Sequence, residues 1–159
     1  MTYNACIPSP LGWLYLSASD LGLERIEYRE EGIEGIDDHL VILQAVKELR
    51  EYFNGERKIF NVPLNLQGTH FQLNVWEELE KVPFAKTASY EDIARRLGDI
   101  KVIRAAATAN GRNPIPIIVP CHRIIGKDGS LTGYNGGLAR KKWLLDFELS
   151  SVQTALFAG

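Results

Sequence analysis

The stretch Asn113-Pro114-Ile115-Pro116-Ile117-Ile118-Val119-Pro120-Cys121-His122-Arg123 restricts the fold more than any other part of the chain. Proline lacks an N–H and fixes φ, so three prolines within seven residues rule out a regular interior helix or strand here. The apolar run Ile115 to Val119 nevertheless belongs in the core. The fold must therefore close a core around irregular backbone. Such a segment is a rigid, buried support that delivers Cys121 to the wall of a cavity.

A cysteine becomes a nucleophile when a nearby base or cation favours its thiolate. His122 is adjacent to Cys121 and Arg123 follows, so the local inventory suits that chemistry. Neighbouring side chains in an extended segment point opposite ways, so a water or a local bend has to complete a proton relay. On these residues alone, an inert core cysteine is the commoner outcome.

The rest of the chain supplies the frame. Residues 2–7, 11–18 and 21–28 read as short strands joined by the turns Ser9-Pro10-Leu11-Gly12 and Ser19-Asp20-Leu21-Gly22, an antiparallel meander. The acidic run Glu30 to Asp38 reads as a loop. Leu40, Leu43, Val46, Leu49 and Phe53 recur at helical spacing, with Asp37 or Asp38 as cap and Asn54-Gly55 as stop. Residues 59–66 are irregular and lead to Gly68, the expected junction between an N-terminal α/β lobe (1–67) and a C-terminal domain (68–159). The expected class is α+β: a small antiparallel sheet lobe with a helix, then a mainly helical, winged-helix-like lobe.

From Thr69 the pattern turns helical. Thr69 caps a helix with Phe71, Val75, Trp76 and Leu79 on one face, ended by Pro83. Ser89-Tyr90-Glu91-Asp92 resembles a capping box with Asp in place of the usual Glu or Gln, opening a helix through Leu97. After Gly98 an alanine-rich helix runs from Lys101 to Asn110. Two short helices around a glycine-containing turn describe a helix-turn-helix, which binds DNA in some proteins and only packs in others. Ala105 and Ala106 give the second helix a low profile, suited to close packing or to a nucleic-acid groove, and Arg104 projects beside them.

Net charge is −2, which hides an asymmetry. Residues 1–83 carry seven basic and fourteen acidic side chains, whereas residues 84–148 carry eleven basic and six acidic. The basic part is where a polyanion would sit. No apolar run approaches the ~20 residues that cross a bilayer, and no signal peptide is read at the N-terminus. Cys6 and Cys121 read as free thiols in a reducing cytoplasm. The three histidines, His39, His70 and His122, form no metal-binding pattern.

The string NPIPIIVPCHRIIG, followed by GSLTGYNGGLARKKWLLDFE, closely resembles the active-site region of the O6-alkylguanine-DNA alkyltransferases. The preceding TASYEDIARRLGDIKVIRAAATANGRN is similar to that family's helix-turn-helix. Order and spacing match from about residue 69 to 148. The resemblance implies that Cys121 attacks the alkyl carbon and that His122, through a water, is the base. It further implies that Glu148 orients His122, that Asn113 is a hinge before the proline run, and that Tyr90 gives a proton to the departing guanine and helps rotate the nucleotide. Arg104 matches the arginine that fills the space of the extruded base. Ala105, Ala106, Arg112 and Arg123 are further DNA-contact candidates, with the second motif helix in the minor groove.

Tyr134 and Asn135 fall in the loop closing over the substrate. Family members often have serine at the latter position, but the contact is made by a backbone N–H. Backbone carbonyls of Cys121 and Ile124 are implied to read the guanine amine, and Pro116 to shape the pocket. No cofactor and no metal are implied. The implied partner is double-stranded DNA containing O6-alkylguanine, bound without sequence preference by a monomeric protein, with assembly along DNA left open. Three other readings remain: a non-catalytic alkyltransferase-like DNA-binding protein, a thiol hydrolase, and a transcription factor. Those non-catalytic relatives carry another residue where Cys121 stands.

Overall fold

The computed structural model describes residues 1–158, with side chains described as far as Gln153. The chain divides into two compact units, the first Met1–Gln67 and the second beginning at Gly68.

In the first unit, β1 (Tyr3–Ser9), β2 (Gly12–Ser19) and β3 (Gly22–Arg29) form the antiparallel meander. The two turns are closed by serine: Ser9 Oγ accepts from the Leu11 N–H at 3.1 Å and Ser19 Oγ from the Leu21 N–H at 3.1 Å. Alternation in β2 buries Leu14, Leu16 and Ala18 on one face. A fourth strand, β4 (Gly35–Ile36), pairs with β1, so the sheet order is β3-β2-β1-β4. The acidic run expected to be a loop thus contributes an edge.

Helix α1 (Leu40–Phe53) is capped by His39, not by either aspartate. Asp37 is already engaged with β1, its carboxylate accepting from the Asn4 N–H at 2.7 Å. The buried stripe is also rotated from the expected one. Leu40 and Leu43 are exposed, while Ile42, Ala45, Val46, Leu49 and Tyr52 are buried. That second stripe is continuous, and the small Ala45 permits close approach at its centre. Residues 59–66 are irregular but pinned. The Leu23 N–H donates to the Pro63 carbonyl and the Leu23 carbonyl accepts from the Asn65 N–H, both at 2.8 Å.

The second unit is mainly helical: α2 (His70–Glu80), α3 (Tyr90–Arg96), α4 (Ile103–Gly111) and α5 (Leu138–Ala158). Capping boxes open α2 (Thr69 with Gln72) and α3 (Ser89 with Asp92). Gly98, at φ +92°, makes the turn after α3, and a 3-10 turn at Ile100–Val102 leads into α4. The helix expected from Lys101 therefore begins as a 3-10 turn, held by Asp99 accepting from the Lys101 N–H at 2.9 Å. The Trp76 indole donates to the Ala109 carbonyl at 2.9 Å, tying α2 to α4.

Two short strands unforeseen in the sequence, β5 (Ala88–Ser89) and β6 (Ile124–Ile125), pair in parallel. Strand pairs of two residues leave no periodic trace. The proline segment is buried and irregular, with Ile115, Ile117 and Val119 excluded from solvent. Among the described residues no helix is long and apolar enough to cross a membrane.

Candidate active site

The proline segment closes on itself through Asn113. Its side-chain amide donates to the Val119 carbonyl at 2.8 Å, and its oxygen accepts from the Ile115 N–H at 3.0 Å. Both bonds satisfy backbone groups in a segment that forms no ladder, and the Val119 carbonyl also accepts from the Cys121 N–H at 2.8 Å. Beyond Pro120 the backbone forms a 3-10 turn, Cys121–Arg123, not the extended segment expected. The turn is a local bend of the kind a proton relay needs, although no hydrogen bond joins the Cys121 and His122 side chains among the described residues.

His122 is fully buried, and its Nε2 lies 2.7 Å from Glu148 Oε2. Glu148, on α5, is buried too and also takes two bonds from Arg123: Nε to Oε1 at 2.9 Å and Nη2 to Oε2 at 3.0 Å. The Ala85 N–H adds a bond to Oε1 at 3.1 Å. Burial pushes the Glu148 carboxyl up, but the hydrogen bonds from His122 and Arg123, with the Arg123 charge, outweigh it and hold Glu148 well below the usual carboxylate range. Burial lowers the pKa of His122, and the Glu148 contribution only partly opposes it. A neutral His122 beside an ionised carboxylate keeps its proton on Nε2. Its Nδ1 is then a bare acceptor, and it has no hydrogen-bond partner among the described residues.

Burial pushes the Cys121 thiol up to about 11, against smaller favourable effects from Asn113 and from the Lys141 ammonium. The resting sulfur is therefore a thiol that needs a base. Lys141, not anticipated from the sequence, is fully buried and donates to the carbonyls of Ile124 and Thr132, the latter at 2.8 Å. Burial pulls its ammonium down to about 8. In sequence it is one of two adjacent lysines near the start of a helix, which reads as a solvated surface pair. Only the converging carbonyls distinguish it from Lys142.

Tyr90 opens α3 and donates its hydroxyl proton to the Thr132 carbonyl at 2.9 Å. Burial raises its pKa, so it is a neutral phenol. An open groove of about 640 Å³ lies between α4 and the loop before α5, lined by Thr108, Arg112, Thr132, Tyr134 and Asn135 among others. Cys121, Pro116 and Ile124 are not on its wall. Cys121 itself is buried, 3% exposed.

Arg104 and Ala105 lie on the exposed side of α4, and Arg112 is exposed beyond its end. Two DNA-contact expectations need correction. Arg123 is buried, its guanidinium committed to Glu148 and, through Nη1, to the Val82 carbonyl at 2.8 Å. Ala106 is also buried, on the inner side of α4. Among the described residues, no three His, Cys, Asp or Glu side chains gather to hold a metal ion.

A helix-turn-helix carrying exposed arginine shares one unit with a buried cysteine that stands next to a histidine–glutamate pair, and this combination sets the class: a lone buried thiol beside a helix-turn-helix. Comparison with known proteins gives the class a family. Residues 2–66 match the ribonuclease-like domain of 6-O-methylguanine DNA methyltransferase, and residues 70–150 match its DNA binding domain. The chain is 41% identical over 152 residues to a methylated-DNA–protein-cysteine methyltransferase of Methanosarcina acetivorans, covering 92% of this chain and 97% of that one. The crystal structure of the Mycobacterium tuberculosis O6-methylguanine methyltransferase superposes with a TM-score of 0.85 at 42% identity, covering 95% of this chain and 94% of that one. Mycobacterium tuberculosis OGT in complex with DNA superposes at 0.82 and 42% identity, with 92% of each chain covered. The chain belongs to the 6-O-methylguanine DNA methyltransferase family.

Proposed function

We propose that this protein repairs DNA by direct reversal, moving the alkyl group of O6-alkylguanine onto Cys121 once per molecule. The observation that carries the reading is the His122–Glu148 pair. It fixes the imidazole with a bare nitrogen, in the residue next to a thiol that burial keeps protonated. The thiol proton passes to His122, directly or through water, as Sγ forms its bond to the alkyl carbon. The C–O6 bond breaks, its electron pair leaves with guanine, and guanine takes a proton, for which the neutral Tyr90 hydroxyl is the donor. The product is a thioether with no carbonyl for water to attack. Cys121 is therefore not regenerated, and the acceptor being a side chain, no cofactor enters the reaction.

The lesion must reach a buried sulfur. Extruding a base costs a few kcal/mol, less for a poorly paired one, which favours alkylated guanine. Arg104, on the exposed side of α4, fills the vacated place and hydrogen-bonds the widowed cytosine. Ala105 beside it permits close approach to the minor groove, where sequence information is sparse. Asn113 joins α4 to the active-site segment as the hinge. Entry also requires the loop around Tyr134 and Asn135 to part from Tyr90 and Lys141, both of which hold it through the Thr132 carbonyl.

The test is a titration of the protein against duplex DNA containing O6-methylguanine, with peptide mapping. One methyl per protein, on the peptide containing Cys121, is expected. Continuing turnover would identify a thiol hydrolase, and binding without transfer a non-catalytic damage-binding protein. A methyl on Cys6 would also overturn the assignment.

A further inference from the structure

The chain contains three Asn-Gly pairs: Asn54-Gly55, Asn110-Gly111 and Asn135-Gly136. Asparagine is chemically labile, and most so before glycine. The backbone nitrogen of the following residue attacks the side-chain carbonyl carbon and closes a succinimide ring. Glycine has no Cβ to obstruct that approach. The nitrogen must give up its hydrogen to react, so an N–H already held in a hydrogen bond is protected.

The fold treats the three pairs differently. Asn110 is 1% exposed, its amide nitrogen donates to the Cys121 carbonyl at 3.4 Å, and its oxygen has no partner among the described residues. Gly111 lies in the last turn of α4, where the N–H serves the helix ladder. Asn54 is exposed, but the Gly55 N–H donates to the Tyr52 carbonyl at 3.0 Å. Asn135 is exposed in a turn closed by the Gly137 N–H, which donates to the Tyr134 carbonyl at 3.0 Å. A turn of this kind bonds its outer peptides and leaves the central one, here between Asn135 and Gly136, outside the bond. Among the described residues the Gly136 N–H has no partner. Exposure, non-helical backbone and an unbonded N–H coincide at Asn135-Gly136 and at neither other pair.

Asn135 also lies on the wall of the groove between α4 and the loop before α5, where Arg112 is the charged side chain. We propose that Asn135 is a self-modification site, where ring closure onto Gly136 turns the amide into a carboxylate and weakens the protein's hold on DNA. The Gly136 nitrogen bonds to Cγ of Asn135, the Cγ–Nδ2 bond breaks, and ammonia leaves with the Gly136 hydrogen. Water then opens the ring. Attack at Cγ gives aspartate, and attack at the main-chain carbonyl carbon gives isoaspartate, with the backbone routed through the former side chain. Water is the co-reactant and nothing is oxidised or reduced. Either product adds a negative charge that offsets Arg112 in a groove beside the DNA-binding helix, where a polyanion is to be held. The inference goes beyond the alkyl-transfer reading and does not depend on it, because conversion and DNA affinity are both measured without a lesion.

The experiment holds purified protein at mildly alkaline pH for days. Samples are digested and mapped for amide-to-acid conversion and isoaspartate, and their affinity for duplex DNA is measured at low salt. Asn135 is expected to convert about fivefold faster than Asn54, the protection that one backbone hydrogen bond gives Gly55, and Asn110 to stay intact. Affinity should fall in step with conversion. Fresh Asn135→Asp protein should bind DNA about twofold to fivefold more weakly than wild type, with the gap closing at high salt. Gly136→Ala, whose methyl group obstructs ring closure, should keep its own starting affinity through the same treatment. Conversion of Asn54 or Asn110 ahead of Asn135 overturns the assignment of the site. Undiminished affinity in Asn135→Asp, or in aged wild type with Asn135 converted, overturns its consequence. Equal losses in aged Gly136→Ala and aged wild type overturn it too.

Discussion

In the N-terminal unit the buried Glu48 has both oxygens engaged. Oε1 accepts from the backbone N–H groups of Asn61 at 2.7 Å and Val62 at 3.0 Å, and Oε2 from the Gln44 amide at 2.8 Å. In the C-terminal unit the buried Glu148 is as fully engaged, but the chain of contacts it heads ends in an unpaired nitrogen on His122. The difference extends beyond two carboxylates. Among the described residues, both buried side-chain atoms without partners lie in the C-terminal unit, and so do both non-glycine residues of positive φ, Ala85 and Ile117. One unit spends its buried polar groups on pinning a linker segment. The other keeps unpaired atoms and unfavourable backbone around one sulfur, the pattern expected where a fold tolerates local cost for chemistry.

The largest test of that contrast substitutes the two glutamates in parallel. Glu148→Gln removes the charge that balances Arg123 and orients His122. Breaking such a buried pair costs about 3–5 kcal/mol, and by analogy with an orienting carboxylate in a hydrolase triad transfer should slow by roughly 10³- to 10⁴-fold. Glu48→Gln keeps one acceptor oxygen, costs about 1–3 kcal/mol, and should leave transfer by the folded protein unchanged. Denaturant unfolding and single-turnover transfer read the two quantities separately. Equal loss of transfer in both variants would erase the comparison. The pH dependence of stability follows the same groups. The pKa values of Glu148 and His122 are both depressed in the folded state, so each contributes stability that is complete above its ordinary value and lost as pH falls. Unfolding on acidification should therefore begin below about pH 6.5 and continue through the carboxylate range.

Lys141 supplies the next largest effect. Its ammonium favours the Cys121 thiolate, and burial brings it down to about 8. The wild-type rate should rise with pH and break near 8 as the ammonium is lost. Lys141→Met should lower the rate at pH 7 by roughly tenfold, the worth of about one pKa unit at the thiol, and abolish the break. An unbroken wild-type profile would remove the electrostatic role.

An effect of similar size but more selective is expected at Arg104, which lies on the exposed side of α4. Arg104→Ala should slow transfer from duplex DNA by about tenfold, within the few kcal/mol that base extrusion costs. Transfer from free O6-benzylguanine should be largely unaffected. Equal losses on both substrates would show that the arginine acts on the buried site after all.

Much of the frame is legible in the sequence because it is written locally. The serine turns of the meander, the capping boxes at Thr69 and Ser89, and the breaks at Gly55 and Gly98 each depend on residues within a few positions of one another. What depends on distant partners is not legible. The α1 cap passed to His39 because Asp37 was taken by a strand thirty-three residues away. Arg123 reads as a surface cation and is buried because Glu148 arrives from α5. Lys141 differs from Lys142 only in what the fold brings to it. Likewise the proline run foretells a buried, irregular support, whereas the unpaired Asn110 oxygen exists only once the helices of the second unit pack around it.

The smallest expected effect concerns the backbone. In the N-terminal unit positive φ falls on glycines alone among the described residues, as at Gly55 with φ +78°, where an added Cβ would meet nothing within 4 Å. Ala85 adopts φ +62° in the C-terminal unit, with its N–H on Glu148 at 3.1 Å. An L-residue in this region costs roughly 1 kcal/mol relative to glycine. Gly55→Ala should therefore destabilise by about 1 kcal/mol through conformation only, and Ala85→Gly should stabilise by about the same or less. For a chain of this length that shifts Tm by about 2–4 °C in opposite directions. Transfer by Ala85→Gly should stay within about twofold of wild type, because the N–H that meets Glu148 is retained. If Ala85→Gly lowers Tm instead, the conformation at Ala85 is not strained, and one of the two strained positions that set the C-terminal unit apart is lost.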